Sequence, residues 1–334
     1  MDLGLLKRNM HIALNYRCLG GLGSGAVEAD DSRMAVAFYS LASMDLYGVV
    51  NSKSNEKDRE EWVQWIWAQY IQTPDASLKK EASIQGAPNL IMTYAAILTL
   101  AILRDDFSKL DKSALLQFVA SRQNADGSFS AAHHHIVGDL RVLYTAFVIC
   151  YLLDDWTRID VPGALSFINR CRSYEGGYGQ SPDQEAHGGT TYCALASLFL
   201  CPLVDGTGLT HRSKRATIRW LSHHQTTGFC GRTGKTPDSC YSFWCGASLK
   251  ILEAPECVDA EANAAFISEC QFQFGGIAKV PDDRPDPLHS YLSIASLALY
   301  PPATGDQSWL VRPLAPALNA EESTAEWLIS HLRQ

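Results

Sequence analysis

The segment Arg104-Asp-Asp-Phe-Ser-Lys-Leu-Asp111 recurs in similar form as Leu153-Asp-Asp-Trp-Thr-Arg-Ile-Asp160, 49 residues further along the chain. Each copy is followed by a run of residues with helical periodicity and then by a glycine turn that carries an aromatic residue. These aromatic residues, Phe129 and Tyr178, are also 49 residues apart. Two copies in the same order and at the same spacing indicate an internal repeat.

Two later glycine turns continue the series. Phe229, in the turn at Gly228, follows Tyr178 by 51 residues, and Ile277, in the turn at Gly275, follows Phe229 by 48 residues. A constant period of about 50 residues is typical of a repeat array. Before the turns, residues 113–122 and 162–172 have apolar positions at helical spacing, so each repeat is predicted to be helix, turn, helix.

The helices predicted after the turns are apolar on most sides, which is typical of buried helices; they cover residues 139–153, 188–200, 238–252 and 286–299. Further helices are predicted at 31–46, 59–71, 90–103 and 321–332. We therefore predict an all-α fold, an α/α toroid (barrel) of helical hairpins with amphipathic helices outside and apolar helices inside. No linker-like stretch divides the chain, so residues 1–334 are predicted to form a single domain.

The composition indicates a folded globular protein, with 46% hydrophobic and 19% charged residues in 334. A net charge of −8 argues against binding to nucleic acid. No apolar run reaches the roughly 18–20 residues of a membrane-spanning helix, and no signal peptide is visible. The ten cysteines include no C-x-x-C pair, so we expect reduced thiols and a cytoplasmic location.

The inner helices of a toroid begin at one end of its cavity, so polar residues there converge. Asp238, Cys240 and His289 occupy such positions and supply one carboxylate, one thiolate and one imidazole. Three ligands of this mixed kind suit a catalytic Zn²⁺ that keeps a fourth position open. The alternative interpretation makes Asp238 a helix N-cap and Cys240 a buried thiol.

Basic residues are expected around the same place and predict an anion site at helix N-termini; they are His187, Arg232, Lys235 and Arg141. Solvated surface charge is the alternative, and for Arg141 taken alone it is the better one.

Three other motifs are assigned no catalytic role. Gly234-Lys-Thr236 resembles a P-loop, but Phe229 stands where that motif needs glycine and no strand precedes it. The aspartate pairs Asp105-Asp106 and Asp154-Asp155 recur at the repeat period in hairpin connections, which favours a structural role. His133-His-His135 is interpreted as part of a polar loop.

With these motifs in place, the chain resembles the β subunits of protein prenyltransferases, and most closely that of protein geranylgeranyltransferase type I. The matching stretches are Asp139–Tyr144, Glu185–Gly189, Gly231–Trp244, Gly275–Lys279 and Asp286–His289. Their order and spacing hold from about residue 90 to 300. The combination of Asp-x-Cys-Tyr-Ser-Phe-Trp at 238–244 with the downstream histidine is the most specific of them.

The resemblance implies an α/α toroid that pairs with a separate prenyltransferase α subunit. It also implies transfer of a 20-carbon isoprenoid from geranylgeranyl diphosphate to the cysteine of C-terminal CaaX motifs of small GTPases. Asp238, Cys240 and His289 fall on the positions of the zinc ligands. The positions that hold the diphosphate correspond to His187, Arg232, Lys235 and Tyr241, and Arg141 matches an active-site arginine.

Two positions distinguish subtypes within this resemblance. Lys279 stands where farnesyltransferases and Rab-type enzymes have an acidic residue, so no Mg²⁺ requirement is expected. Ala35 stands where farnesyl enzymes have a tryptophan that closes the cavity, so the cavity is expected to admit a fourth isoprene unit. The alternatives are a farnesyltransferase or Rab-type β subunit and, from a different class, a non-catalytic helical-toroid scaffold.

Overall fold

The computed structural model describes residues 3–21, 31–70, 88–132 and 138–334. The polar loop predicted at His133–His135 lies outside these ranges, as do residues 22–30 and 71–87. The helices of the described residues are α1 Arg8–Leu19, α2 Arg33–Leu46, α3 Val50–Lys53, α4 Glu56–Ala68, α5 Leu90–Ile102, α6 Lys112–Ala120, α7 Leu140–Leu153, α8 Val161–Arg170, α9 Gly188–Leu200, α10 His211–Ser222, α11 Ser239–Ile251, α12 Ala260–Glu269, α13 Pro287–Leu299 and α14 Glu322–Leu332. Two short antiparallel strands, β1 Leu314–Ala315 and β2 Ala320–Glu321, precede α14.

The predicted toroid is confirmed by how the inner helices pack. In chain order α2, α5, α7, α9, α11 and α13 each pack on the next, and α13 packs back on α2, so the ring closes. Their side chains form the core, in which Phe147, Tyr192 and Phe243 have no exposed surface. None of the helices within the described ranges has the length and hydrophobicity that crossing a membrane requires.

Five of the six inner helices begin with a side chain that caps the helix, and the cap of α5 is Asn89. Asp139, His187, Asp238 and Asp286 precede α7, α9, α11 and α13, and each side chain accepts a hydrogen bond from a backbone N–H of its first turn. Such a cap contributes about 1 kcal/mol to the stability of a helix. Because these helices are neighbours and run in the same direction around the ring, their caps meet at one rim of the barrel.

The glycine turns explain the spacing of the repeat. Gly127, with φ of 87°, lies against the backbone of Gly163 in α8, and Gly176 lies in the same way against α10. A side chain at either position would collide with that backbone, and positive φ itself favours glycine. Each turn therefore locks one repeat to the outer helix of the next.

The last turn shows how the ring closes on its outer side. Gly275, with φ of 99°, lies against the backbone of Met10 in α1. The N-terminal helix thus takes the place that an outer helix holds in the other repeats. The sequence pattern did not predict α1, because its polar and apolar residues are not segregated. The helix predicted at 59–71 is displaced to Glu56–Ala68, where Asn55 and Asp58 form a capping box.

The aspartate pairs have the structural role predicted for them. A carboxylate oxygen of Asp105 accepts a hydrogen bond from the backbone N–H of Phe107 at 2.8 Å. Asp155 accepts in the same way from the N–H of Thr157 at 2.9 Å. Both carboxylates stabilise the turn between an inner helix and the following outer helix.

A buried histidine fastens α1 to the last turn. His11 Nδ1 accepts a hydrogen bond from the N–H of Gly276 at 2.8 Å, and Nε2 lies 3.0 Å from Gln271 Oε1. The imidazole is therefore neutral, and burial lowers its pKa from 6.5 to about 4.

We expect acid to weaken this contact. An unfolded histidine binds a proton below about pH 6.5, whereas the folded one does so only near pH 4. The free energy of unfolding should therefore be fully retained above pH 6.5 and lose about 3 kcal/mol between pH 6.5 and 4. Urea denaturation of wild type and His11→Gln across this range measures the effect. Parallel pH profiles of the two proteins would contradict it.

Candidate active site

Three possible metal ligands meet at the rim where the inner helices begin. The ligand atoms of Asp238, Cys240 and His289 all lie within 4.8 Å of one another. Asp238 and Cys240 are buried, and His289 is half-buried. The carboxylate of Asp238 caps α11 by accepting from the N–H of Cys240 at 3.0 Å, and the same oxygen lies 3.4 Å from His289 Nε2. The cap and the cluster therefore use the same side chain, and neither excludes the other.

A second carboxylate orients His289. Asp286 Oδ2 lies 2.6 Å from His289 Nδ1, which leaves Nε2 directed at Asp238. Burial alone lowers the pKa of His289, but the hydrogen bonds and negative charges of Asp238 and Asp286 raise it to about 9. A carboxylate on the far nitrogen is the usual partner of a histidine that binds a metal.

The thiol of Cys240 is not ionised by the protein alone. Burial raises its pKa far above the usual range, and the negative charge of Asp238 raises it further. A cation at the cluster would reverse both effects, since a bound cation favours the thiolate. The three side chains thus fit a borderline-soft divalent ion such as Zn²⁺ in donor type, proximity and orientation.

A hydrogen-bonded pair stands beside this cluster. His187 Nδ1 accepts from the N–H of Gly189 at 3.1 Å, so the proton of the neutral ring is on Nε2, which lies 2.7 Å from the hydroxyl oxygen of Tyr241. Burial, and then the charges of Arg232 and Arg141, lower the pKa of His187 and keep the ring neutral. The Tyr241 oxygen therefore accepts a hydrogen bond from His187 Nε2–H, and its own O–H remains available to donate to a ligand.

The predicted cations are only partly brought together. Arg232 and Arg141 are close enough to His187 to lower its pKa. Each is paired with a carboxylate: Arg232 lies 3.3 Å from Glu185, and Arg141 lies 2.7 Å from Asp139.

Lys235 differs from the two arginines. Lys235 is in the same turn as Arg232, and its backbone N–H donates to the Arg232 carbonyl at 3.2 Å. The Lys235 side chain is exposed. Within the described ranges, the Lys235 ammonium has no hydrogen bond or ion pair.

Lys279 lies beside the metal cluster, and Ala35 lies on α2, which packs on α13. Lys279 Nζ is 3.9 Å from Asp238 Oδ2, and its side chain is about half exposed. Ala35 is half-buried in the first turn of α2, one turn before Tyr39. Burial raises the pKa of Tyr39 to about 12. The Tyr39 ring packs on Tyr291 of α13 with centroids 5.7 Å apart, so this face of α2 is directed at the helix that carries His289.

Sequence reasoning did not assign roles to two residues of this site. Asp286 orients His289. This role could have been predicted, because Asp286 stands at the helix cap position, three residues before the histidine. Gly231 lies under the ring of Tyr241, where a side chain would collide with that ring. The sequence indicated this role less clearly, because Gly231 is one of several glycines in its loop and the sequence does not show which aromatic ring packs against it.

Comparison with known proteins agrees with this architecture. A family model described as "Prenyltransferase alpha-alpha toroid domain" matches residues 6–320. The chain belongs to this prenyltransferase family. The prenyltransferase is 34% identical to "Geranylgeranyl transferase type-1 subunit beta" of Dictyostelium discoideum, over 84% of this chain and 87% of the relative. It is 35% identical to the protein of the same name from Arabidopsis thaliana, over 78% and 67% of the two chains.

A solved structure is similar to the prenyltransferase over almost its whole length. "Candida albicans protein geranylgeranyltransferase-I complexed with GGPP" superposes with a TM-score of 0.85 at 26% identity, covering 99% of this chain and all of the other. The prediction of a prenyltransferase β subunit, most like that of geranylgeranyltransferase type I, is confirmed by these similarities. The roles of the individual site residues stay predictions.

Proposed function

We propose that the chain is the catalytic β subunit of a zinc-dependent protein geranylgeranyltransferase type I. It would transfer a 20-carbon isoprenoid from geranylgeranyl diphosphate to the cysteine of a CaaX motif on small GTPases. The observation that carries the proposal is the cluster of Asp238, Cys240 and His289 at the rim where the inner helices begin, next to the His187–Tyr241 pair. The relatives of the same name support the class of reaction.

The cluster would hold Zn²⁺ through Asp238, Cys240 and His289, with Asp286 fixing the histidine ring. Bound at this place, zinc would lower the pKa of a substrate cysteine thiol, so that its thiolate would be available at neutral pH. That sulfur bonds to C1 of the isoprenoid, the C1–oxygen bond breaks, and diphosphate leaves with the bonding electrons.

Negative charge builds up on the diphosphate as this bond breaks. The hydroxyl of Tyr241 can donate to it, because His187 already supplies the other hydrogen bond of that oxygen. Arg232, Arg141 and Lys235 would add positive charge, the arginines by exchanging their present carboxylate partners for the phosphate. Fixed donors that meet developing charge lower the barrier because they need no reorganisation at the moment of reaction.

The proposal includes a heterodimer with a prenyltransferase α subunit, a single domain over residues 1–334 and a cytoplasmic location. The α subunit is implied by the family. The location is supported by the cysteines, of which all ten are free. In a reducing compartment such thiols remain unpaired.

A transfer assay tests the proposal. The chain is co-expressed with an α subunit and given a CaaX peptide ending in leucine, zinc, and either the 20-carbon or the 15-carbon diphosphate, with magnesium chelated selectively. We expect transfer of the 20-carbon chain. If only the 15-carbon chain is transferred, the protein is a prenyltransferase of another subtype. No transfer with either donor, even with magnesium restored, would favour the helical-toroid scaffold.

Lys279 should replace magnesium in this reaction. Its ammonium is fixed beside Asp238 at the rim, where it can neutralise the charge of a diphosphate without a metal ion. We expect wild type to be insensitive to magnesium and Lys279→Asp to lose about 10- to 100-fold in kcat without magnesium and to regain most of it at millimolar magnesium. Titration of magnesium with both proteins measures this. Strong stimulation of the wild type would count against the role of Lys279.

A further inference from the structure

Helix α10 is the most basic of the helices that the structure describes. It contains four cationic residues and no carboxylate; they are Arg212, Lys214, Arg215 and Arg219. The basic stretch extends beyond the helix, since residues 206–237 contain six lysines and arginines and no aspartate or glutamate. The whole chain, by contrast, has 36 acidic and 28 basic residues. Positive charge is therefore concentrated on one part of an acidic protein.

Three of these residues share the outer side of α10. Arg212, Arg215 and Arg219 stand at positions i, i+3 and i+7, which lie on one side of a helix, and all three are exposed. We refer to these three arginines as the basic face. Within the described part of the chain their guanidinium groups have no hydrogen bond, ion pair or ring contact. Lys214 differs from them, because its Nζ lies 3.0 Å from Glu253 Oε2.

The fold does not require the charge of the basic face. The opposite side of α10 supplies the packing, through buried Thr217, Trp220 and Leu221. Other outer helices hold the same place in the barrel with little positive charge: α6 and α8 carry one cation each, and α12 carries two glutamates. Like charges at these spacings repel one another and weaken a helix. The stability of α10 therefore does not explain the three arginines, and a partner outside the chain does.

Exposed apolar side chains lie next to the basic face at two places. Leu203 is 66% exposed and lies in the short connection that leads from α9 into α10. Tyr174 is 97% exposed and lies in the turn that packs on α10. Arg172 holds this turn in place by donating to the Ser213 carbonyl of α10 at 3.1 Å. Arginines accompanied by a few exposed apolar side chains are typical of surfaces that bind lipid headgroups.

We propose that the basic face of α10, together with Leu203 and Tyr174, binds the anionic headgroups of a lipid membrane and holds the enzyme at the membrane surface. An acidic protein segment would match the charge alone, whereas exposed leucine and tyrosine side chains also gain from contact with the lipid interface. The three charges are spread over about 10 Å of helix, which suits a surface of many charges better than a single phosphate. The inference goes beyond the proposed function, under which donor and product both carry a lipid chain.

Sedimentation with vesicles tests the proposal on the complete heterodimer, without donor or peptide. Phosphatidylcholine vesicles that contain about 30% phosphatidylserine are compared with vesicles of phosphatidylcholine alone, at about 0.1 M and about 0.5 M salt. We expect binding to the anionic vesicles only, and its loss at the higher salt concentration because counter-ions screen the attraction. The proposal is overturned if the heterodimer does not bind the anionic vesicles at low salt, or if it binds both kinds equally.

Arg215→Gln/Arg219→Gln removes two charges of the basic face, and Lys53→Gln/Lys57→Gln is the matched control. Lys53 and Lys57 are also exposed, but they lie on α3 and α4, which pack on α2 and α5 across the ring from α10. Each arginine at an anionic membrane strengthens binding about five-fold. The arginine variant should therefore bind about 10- to 30-fold more weakly, and the control should bind like wild type. Unchanged binding of the arginine variant, or an equal loss in both variants, would contradict the proposal.

Leu203→Ser/Tyr174→Ser distinguishes a lipid surface from an acidic protein segment. Because both side chains are exposed, their loss should leave the packing of the barrel intact. We expect this variant to bind anionic vesicles several-fold more weakly and to bind soluble polyglutamate like wild type. Vesicle binding that is unaltered by these changes would overturn the choice of lipid. Binding of wild type to polyglutamate but not to vesicles would assign the basic face to an acidic protein segment.

Assembly and catalysis are measured alongside vesicle binding. If the arginine variant no longer pairs with the α subunit while the lysine control does, that subunit covers α10 and the proposal is overturned. Transfer to a soluble peptide should be the same in all three variants as in wild type, because none of the changed residues lies at the metal cluster or the anion site. Failure of the proposed function shows separately, as no transfer by the wild type.

Discussion

Cys240→Ala should remove both the bound zinc and prenyl transfer. The thiol is the only sulfur in a cluster whose other ligand atoms are one carboxylate oxygen and one imidazole nitrogen. Loss of even an outer partner of a metal ligand costs about 10- to 100-fold in affinity or activity, so loss of a ligand should exceed about 100-fold in both. Metal analysis of the purified heterodimer and the rate of peptide prenylation measure the two effects.

Cys245→Ala separates this effect from general damage to the core. Cys245 lies on the same helix, α11, is fully buried and is also a free thiol, but it is not part of the cluster. Its truncation should lower stability through a small cavity and leave the zinc content at the wild-type level. Full zinc content and full activity in Cys240→Ala would show that the ligand assignment is wrong. Equal loss of zinc in both variants would show that packing of α11 is what matters.

Asp238 caps α11 and also lies in the metal cluster, and for this reason residue spacing alone could not decide between a helix cap and a metal ligand. The sequence offered a helix cap and a metal ligand as alternatives, and the carboxylate is placed for both, because the cap position of α11 is also the point nearest to His289. Only the position of α13 relative to α11 brings the histidine there. Ring closure determines that position, and no local pattern encodes it.

The repeat was readable because the turns use residues with a clear local signature. Glycine turns recur at a nearly fixed period, with positive φ at Gly127, Gly176 and Gly275 and a buried apolar residue two or fewer positions later, so the toroid could be predicted from the residues alone. Helix α1 could not, because its place is defined by contact between Met10 and Gly275, which are far apart in sequence.

The anion site was predicted less completely than the metal cluster. Residue type and position identified His187, Arg232 and Arg141, but not the carboxylates of Glu185 and Asp139 that pair with the two arginines. Such ion pairs depend on side-chain reach across neighbouring loops, and partly exposed pairs contribute only about 0–1 kcal/mol. They can therefore be exchanged for a phosphate at low cost, which suits a site that binds and releases an anion.

Ala35→Trp should reverse the preference between isoprenoid donors. Ala35 lies one turn before Tyr39 on α2, and the Tyr39 ring packs on Tyr291 of α13, the helix that carries His289, so an indole at position 35 would add bulk on this side of α2. A fourth isoprene unit adds five carbons, and burying each contributes about 0.8 kcal/mol. Excluding that unit should lower the ratio of kcat/KM for the 20-carbon over the 15-carbon donor by about 100- to 1,000-fold.

Ala37→Trp is the control for adding the same bulk to the same helix. Ala37 is also half-buried, but it lies two residues further on and therefore on the opposite side of α2. Competition between the two diphosphates in one reaction measures the ratio directly for wild type and both variants. A wild-type ratio in Ala35→Trp would place the wall of the cavity on another helix.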